Sequence, residues 1–221
     1  MTYYGKLASI VDGAALFILF GMIFYTTLYR RRGKPEDKVY FALILTDIVM
    51  AVSDAAVYIL QGTGLEDIES VYYTFCFTLF FVALDVFCAL WCLYLALRTG
   101  WEEKAVKRFM PLFWLPAVIA GIIAVMNGSL AGLSVVITIG GLEATLYQLL
   151  TFIPIFIYAI FTLIIAYRRR TRVFALFIPV FAAHVFLNVT IVSNITPLVF
   201  AVYLIYAHLF AMRDSFYGEV A

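Results

Sequence analysis

Apolar residues come in seven long runs separated by short polar turns: Leu7 to Leu28, Val39 to Leu60, Val71 to Leu97, Met110 to Met126, Ala144 to Tyr167, Val173 to Val192, and Pro197 to Met212. A helix rising 1.5 Å per residue needs about 20 residues to cross the hydrocarbon of a bilayer. Five of the runs reach that length, and the fourth and seventh come close enough to span with anchoring residues at their ends. The pattern predicts an all-α fold: a polytopic integral membrane protein, one seven-transmembrane helix bundle over residues 1–221 with no soluble domain. Six spans result if the fourth run is re-entrant. The first run is too long for the apolar core of a signal peptide and ends in Leu28, Tyr29, Arg30 without a small-residue cleavage site, so it is read as part of the mature protein.

The longest connection, Asn127 to Glu143, is unusual. Its middle, Leu130 to Ile139, is apolar and β-branched, and Gly128, Gly132, Gly140 and Gly141 punctuate it. It reads as a short hairpin or lid over the outer mouth, or as an extra turn on a neighbouring helix.

Composition agrees with this pattern. Hydrophobic residues make up 65% of the 221, charged residues only 13%, which excludes an ordinary soluble domain. The net charge is +1 with no long charged tail, so nothing points to nucleic acid. Cys76, Cys88 and Cys92 share one apolar run and read as small buried hydrophobes, not as a disulfide framework.

Basic residues give the orientation. Fourteen of the 15 Lys and Arg follow the first, third, fifth and seventh runs, among them Arg30, Lys34, Arg98, Lys107, Arg168 and Arg213, and only Lys6 lies on the other side. The positive-inside rule places the N-terminus outside and the C-terminus in the cytoplasm.

Acidic residues carry the candidate chemistry. Asp12, Asp47, Asp54 and Asp85 fall within runs, where each charge costs about 2.5 to 3.5 kcal/mol. They are expected to face the bundle interior, to pair, or to stay protonated. Asp47, Asp54, Tyr58 and Gln61 follow one helical face of the second run; Thr78, Phe81, Asp85, Cys88 and Cys92 do so on the third. The fifth carries Gln148, Thr151 and Tyr158, and the sixth His184 and Asn188. Depth along alternating helices puts Asp85 and His184 near the midplane, Asp12, Asp54, Gln148 and Asn188 in the outer half, and Asp47 and His208 in the inner half. The expected ligand-binding set is Asp12, Asp54, Tyr58, Gln61, Phe81, Asp85, Gln148, His184 and Asn188, around a polar cavity open outward. Carboxyls with aromatic faces suit a small cationic or neutral molecule.

Several chemistries drop out. No lysine lies in a run to form a retinal Schiff base, and two histidines are too few for the zinc set of seven-helix intramembrane hydrolases. GxSxG, HExxH and P-loop spacings do not occur. The sequence therefore predicts no enzyme, no cofactor and no metal.

Two stretches carry a family resemblance: Ser53, Asp54 and the following AAVYIL, and TPLVFAVYLIYAHLFAMRDS from Thr196 to Ser215. They resemble the N-terminal seven-helix sensor regions of bacterial membrane signalling proteins that feed GGDEF-type cyclase or histidine-kinase output domains. The resemblance implies a bacterial plasma membrane and a last helix running toward a cytoplasmic output. Arg213, Asp214 and Ser215 stand where that connector starts, and the output is expected on a continuing chain or on a separate protein. The partners implied are the lipid bilayer, a small-molecule ligand, a cytoplasmic output domain or protein, and a second copy in a homodimer. A membrane sensor or receptor module is the leading expectation. A small-solute or proton-coupled transporter or channel, with Pro154, Pro179 and Pro197 as weak points in its helices, and an assembly or scaffold protein are the alternatives.

The topology is directly testable. In a background lacking the three native cysteines, single cysteines at Gly33 and Gly64 are expected to react oppositely with an impermeant thiol reagent on intact cells. Equal labelling would contradict the orientation.

Overall fold

A computed structural model describes residues 3–29, 34–62, 71–129, 136–139, 142–145, 156–165 and 196–218. They form helices α1 (Tyr3–Tyr29), α2 (Pro35–Gly62), α3 (Val71–Arg98) and α4 (Glu103–Ser129), strands β1 (Val136–Ile139) and β2 (Leu142–Thr145), and helices α5 (Phe156–Ile165) and α6 (Thr196–Gly218). Within α1 to α4, four stretches are long and apolar enough to cross a membrane. The first three expected spans lie inside α1, α2 and α3. The fourth lies inside α4, a continuous helix of 27 residues, about 40 Å long. The expected sixth span, and with it the count of seven, lies outside the described residues.

The loop after α4 holds the only strands among the described residues. Antiparallel pairing of Val136 with Thr145 and of Ile139 with Leu142 makes a hairpin, with Gly140 and Gly141 between its strands in sequence. It sits several residues later than the loop pattern suggested. Ala144 and Thr145, expected to open the fifth span, belong to β2.

Short-range chemistry sets the ends of the long helices. Pro35 occupies the first turn of α2, where its missing N–H costs nothing, and Glu36 and Asp37 beside it complement the helix dipole. Helix α3 ends in a Schellman motif: Trp101 N–H reaches the Ala96 carbonyl at 3.1 Å and Gly100 N–H the Leu97 carbonyl at 3.1 Å. Gly100 closes it with φ of +78°, a left-handed conformation that glycine adopts without a Cβ penalty. Inside the helices, hydroxyls donate to their own preceding turn. Thr26 bonds Met22 O at 2.8 Å, Thr46 bonds Ala42 O at 2.8 Å, and Ser53 bonds Val49 O at 2.7 Å.

Helix α2 packs against α1, α3 and α6, and α3 also against α4. Their facing sides follow helical spacing: Asp12, Ala15, Leu19 and Met22 on α1; Tyr40, Leu43, Asp47, Met50, Asp54 and Val57 on α2. On α3 every residue from Phe87 to Ala96 is buried. Phe87 stacks on Phe200 of α6 with ring centres 4.3 Å apart, and Trp91 meets Tyr203 edge-on at 4.9 Å. The pairing of rising numbers on both helices makes α6 parallel to α3. Small residues lie on the inward faces too, with Ala51, Ala89, Ala96, Ala201 and Ala207 all buried. The opposite faces are apolar and open: Phe17, Phe20 and Phe24 on α1, Leu45, Val49 and Val52 on α2, Leu115, Val118 and Ile122 on α4. Water would penalise such a surface, whereas hydrocarbon matches it.

An ion pair between Arg98 and Glu36 at 3.7 Å brings the end of α3 to the start of α2. The start of α2, with Lys34 and Lys38, and the end of α3 thus lie at one end of the bundle.

The inside and outside of the bundle predict opposite mutational costs. Phe87→Ala should lose about 3 kcal/mol or more through the cavity it leaves, while Phe17→Ala, at an 82% exposed position, should change stability by less than about 0.5 kcal/mol. Thermal unfolding in detergent measures both.

Candidate functional site

Two helices bring two carboxyls together. Asp12 of α1 and Asp54 of α2, 42 positions apart in sequence, are both buried, and Asp54 lies within electrostatic reach of Asp12. Both Asp12 oxygens and Oδ2 of Asp54 find no hydrogen-bond partner among the described residues. Neither of the two runs that carry them contains a lysine or arginine. An ionised pair in that setting carries an uncompensated charge of −2 in low dielectric, so it needs protons or a bound cation. Tyr58, one turn beyond Asp54, lies half-buried at the edge of the same face.

A second polar layer forms on α3. Asp85 is buried, with Oδ1 unpartnered among the described residues, and Cys88 lies within its electrostatic reach. Cys92, one turn further, donates from Sγ to the Tyr158 carbonyl of α5 at 3.6 Å, with Thr162 Oγ1 also at 3.6 Å. The side chain of Tyr158 then crosses to α4. Its hydroxyl donates to the Phe113 carbonyl at 2.6 Å and accepts from the Ala117 N–H at 3.0 Å. Phe81 packs half-buried against Phe77 and Phe80 on the same helix, above Asp85.

A third cluster lies toward the end that bears Arg98. His208 of α6 stacks on Tyr40 of α2 at 5.3 Å and meets Tyr25 of α1 edge-on at 5.4 Å. The Tyr40 hydroxyl donates to the Leu204 carbonyl at 2.8 Å. His208 is thus packed between aromatic rings. Asp47 is fully buried on α2, and neither of its oxygens has a partner among the described residues.

Of the nine expected ligand-binding residues, Asp12 and Asp54 are buried within electrostatic reach of each other and Tyr58 lies one turn along α2 from Asp54; Phe81 and Asp85 lie on α3. Gln61 belongs to α2, and its side chain lies outside the described part. Gln148, His184 and Asn188 lie outside the described residues altogether. Sequence reasoning grouped Tyr158 with Gln148 and Thr151 and missed its bridge to α4. It also left Tyr40 unremarked; a tyrosine inside an apolar run, with a hydroxyl to satisfy, was the available signal. Among the described residues, no three His, Cys, Asp or Glu side chains gather as a metal site would require.

These features define a helical membrane protein with acidic groups enclosed among its helices. No protein-family model, no curated protein and no solved structure matches the chain.

The burial pattern predicts thiol chemistry. Cys76 is partly exposed near the start of α3, whereas Cys88 and Cys92 are buried. N-ethylmaleimide should modify Cys76 alone in the folded protein and all three after denaturation, counted by mass spectrometry.

Proposed function

We propose that the protein is a membrane sensor or receptor module that binds a small cationic or neutral molecule between its helices and passes the signal to a cytoplasmic output partner. One observation carries the reading. Asp12 and Asp54 are buried carboxyls within electrostatic reach of each other, and three of their buried oxygens lack hydrogen-bond partners among the described residues. A cation entering there gains both charges at low dielectric, and aromatic groups such as Tyr58 add cation–π attraction. An anion would meet only repulsion. Entry from outside follows from the orientation that the basic residues give, with the pair in the outer half of the membrane. The resemblance of Ser53 to Leu60 and of Thr196 to Ser215 to bacterial sensor regions adds the direction of signalling, along α6 to a cytoplasmic domain or separate protein at a bacterial plasma membrane. In this reading the chain performs no catalysis of its own.

Calorimetric titration of the purified protein with a panel of small amines tests it. Asp54→Asn is expected to weaken binding about tenfold or more, or about 1.4 kcal/mol, while Asp47→Asn, two turns along α2, leaves the affinity unchanged. Tight binding of a carboxylate that ignores Asp54→Asn would overturn the reading.

A further inference from the structure

Helix α4 is weakened over one short stretch, and a side chain from another helix fills the weak point. Two prolines lie inside it, Pro111 and Pro116. Neither has an N–H, so the rungs that would run to the Lys107 and Leu112 carbonyls are missing. The next rung, Ala117 N–H to Phe113 C=O, is spanned by the Tyr158 hydroxyl, which accepts from that N–H at 3.0 Å and donates to that same carbonyl at 2.6 Å. One rung of α4 therefore lacks its donor, and the groups of the next are held by a hydroxyl from α5. Insertion of a side chain into the ladder and proline within a helix are both recognised causes of bending.

The side chain that fills the rung is held from a third helix. Its main-chain carbonyl takes the Cys92 thiol of α3 at 3.6 Å, and Thr162, one turn on along α5, meets the same sulfur at 3.6 Å. Phe161 of α5 packs against Phe113 with ring centres 6.1 Å apart, at the same place on α4. The Tyr158 side chain is buried, and Asp85, Cys88 and Cys92 lie within its electrostatic reach.

We propose that Leu112 to Ala117 is a hinge in α4 and that Tyr158 is its latch, a positioning residue through which the Asp85–Cys88–Cys92 layer of α3 sets the direction of the arm of α4 carrying Lys104, Lys107 and Arg108. When α5 shifts against α3, the hydroxyl leaves the rung. The tether between α5 and α4 is then lost at the point where the Leu112 carbonyl has no donor, so the arm is free to swing. This inference goes beyond ligand recognition: it concerns how the interior drives one end of the bundle, and it stands whether or not an amine binds at Asp12 and Asp54.

Spin labels at Lys104→Cys and Leu28→Cys, in a Cys76→Ser background that keeps the buried Cys88 and Cys92, read the swing as a distance by pulsed electron resonance without any ligand. A bend of about 20° over an arm of nine residues moves its end by about 5 Å. Tyr158→Phe keeps the ring and removes the hydroxyl, and it is expected to broaden or displace the distance distribution on that scale. Adding Pro116→Ala, which restores the rung to Leu112, should narrow it again. A Tyr158→Phe protein that unfolds cooperatively and keeps the unsubstituted distribution overturns the proposal. A second measurement needs no substitution at the latch: with a carbon-13 label on its carbonyl, Phe113 should absorb at lower frequency than a similarly labelled Leu115, because it accepts the tyrosine hydroxyl. Equal frequencies overturn the latch.

Discussion

Hydrocarbon gives an apolar side chain no reason to leave it, and the rest of this structure depends on that constraint. Between helices already in the membrane, cohesion has to come from close packing and from polar contacts that lipid cannot replace. The bundle supplies both. Alanines are enclosed with the core, the Phe87 and Phe200 rings stack between α3 and α6, and the Tyr40 hydroxyl reaches the Leu204 carbonyl from the neighbouring helix. The same constraint explains why Thr26, Thr46 and Ser53 turn their hydroxyls back onto their own helices. A polar group that cannot find water finds the nearest carbonyl.

Against that background the four enclosed carboxyls are exceptional, because no arrangement of apolar packing requires them. Asp12 and Asp54 meet on facing helices, Asp85 sits beside the thiols of α3, and Asp47 lies apart on α2. Their separation into layers means that a change in charge at one need not be felt at the others. What links the layers is α2 itself, which contacts α1, α3 and α6 at once and carries Asp54 and Asp47 on the same helix whose start pairs Glu36 with Arg98.

The helices were legible where the apolar pattern is long. Helices α1, α2 and α3 enclose the runs read from sequence and overshoot each by a few residues, since the pattern marks hydrocarbon thickness and a helix may continue into the interface. Helix α4 makes the point most clearly, for its first turns, Glu103 to Arg108, are polar and amphipathic yet helical. The face shared by Asp47 and Asp54 was also visible, being a matter of spacing on one helix. The pairing of Asp54 with Asp12 was not, because it depends on how two helices cross. Least legible was the bridge from Tyr158, whose partners are main-chain groups that every residue has and no letter of the sequence distinguishes. Pro197, read as a weak point, falls instead in the first turn of α6, where proline is tolerated.

The apolar outer faces of α1, α2 and α4 have a consequence for how such a chain can diverge over time. Positions such as Phe17, Val52 and Ile122 meet only a fluid solvent, which accepts leucine, isoleucine, valine or phenylalanine almost alike. Drift there is cheap and leaves little memory of ancestry. Ala51, Ala89, Ala201 and the enclosed aspartates have no such freedom, since a larger or differently charged neighbour would push helices apart. Descent in this lineage would be recorded in small and acidic residues at helical intervals, while the bulky apolar letters that dominate the sequence would carry almost none of it.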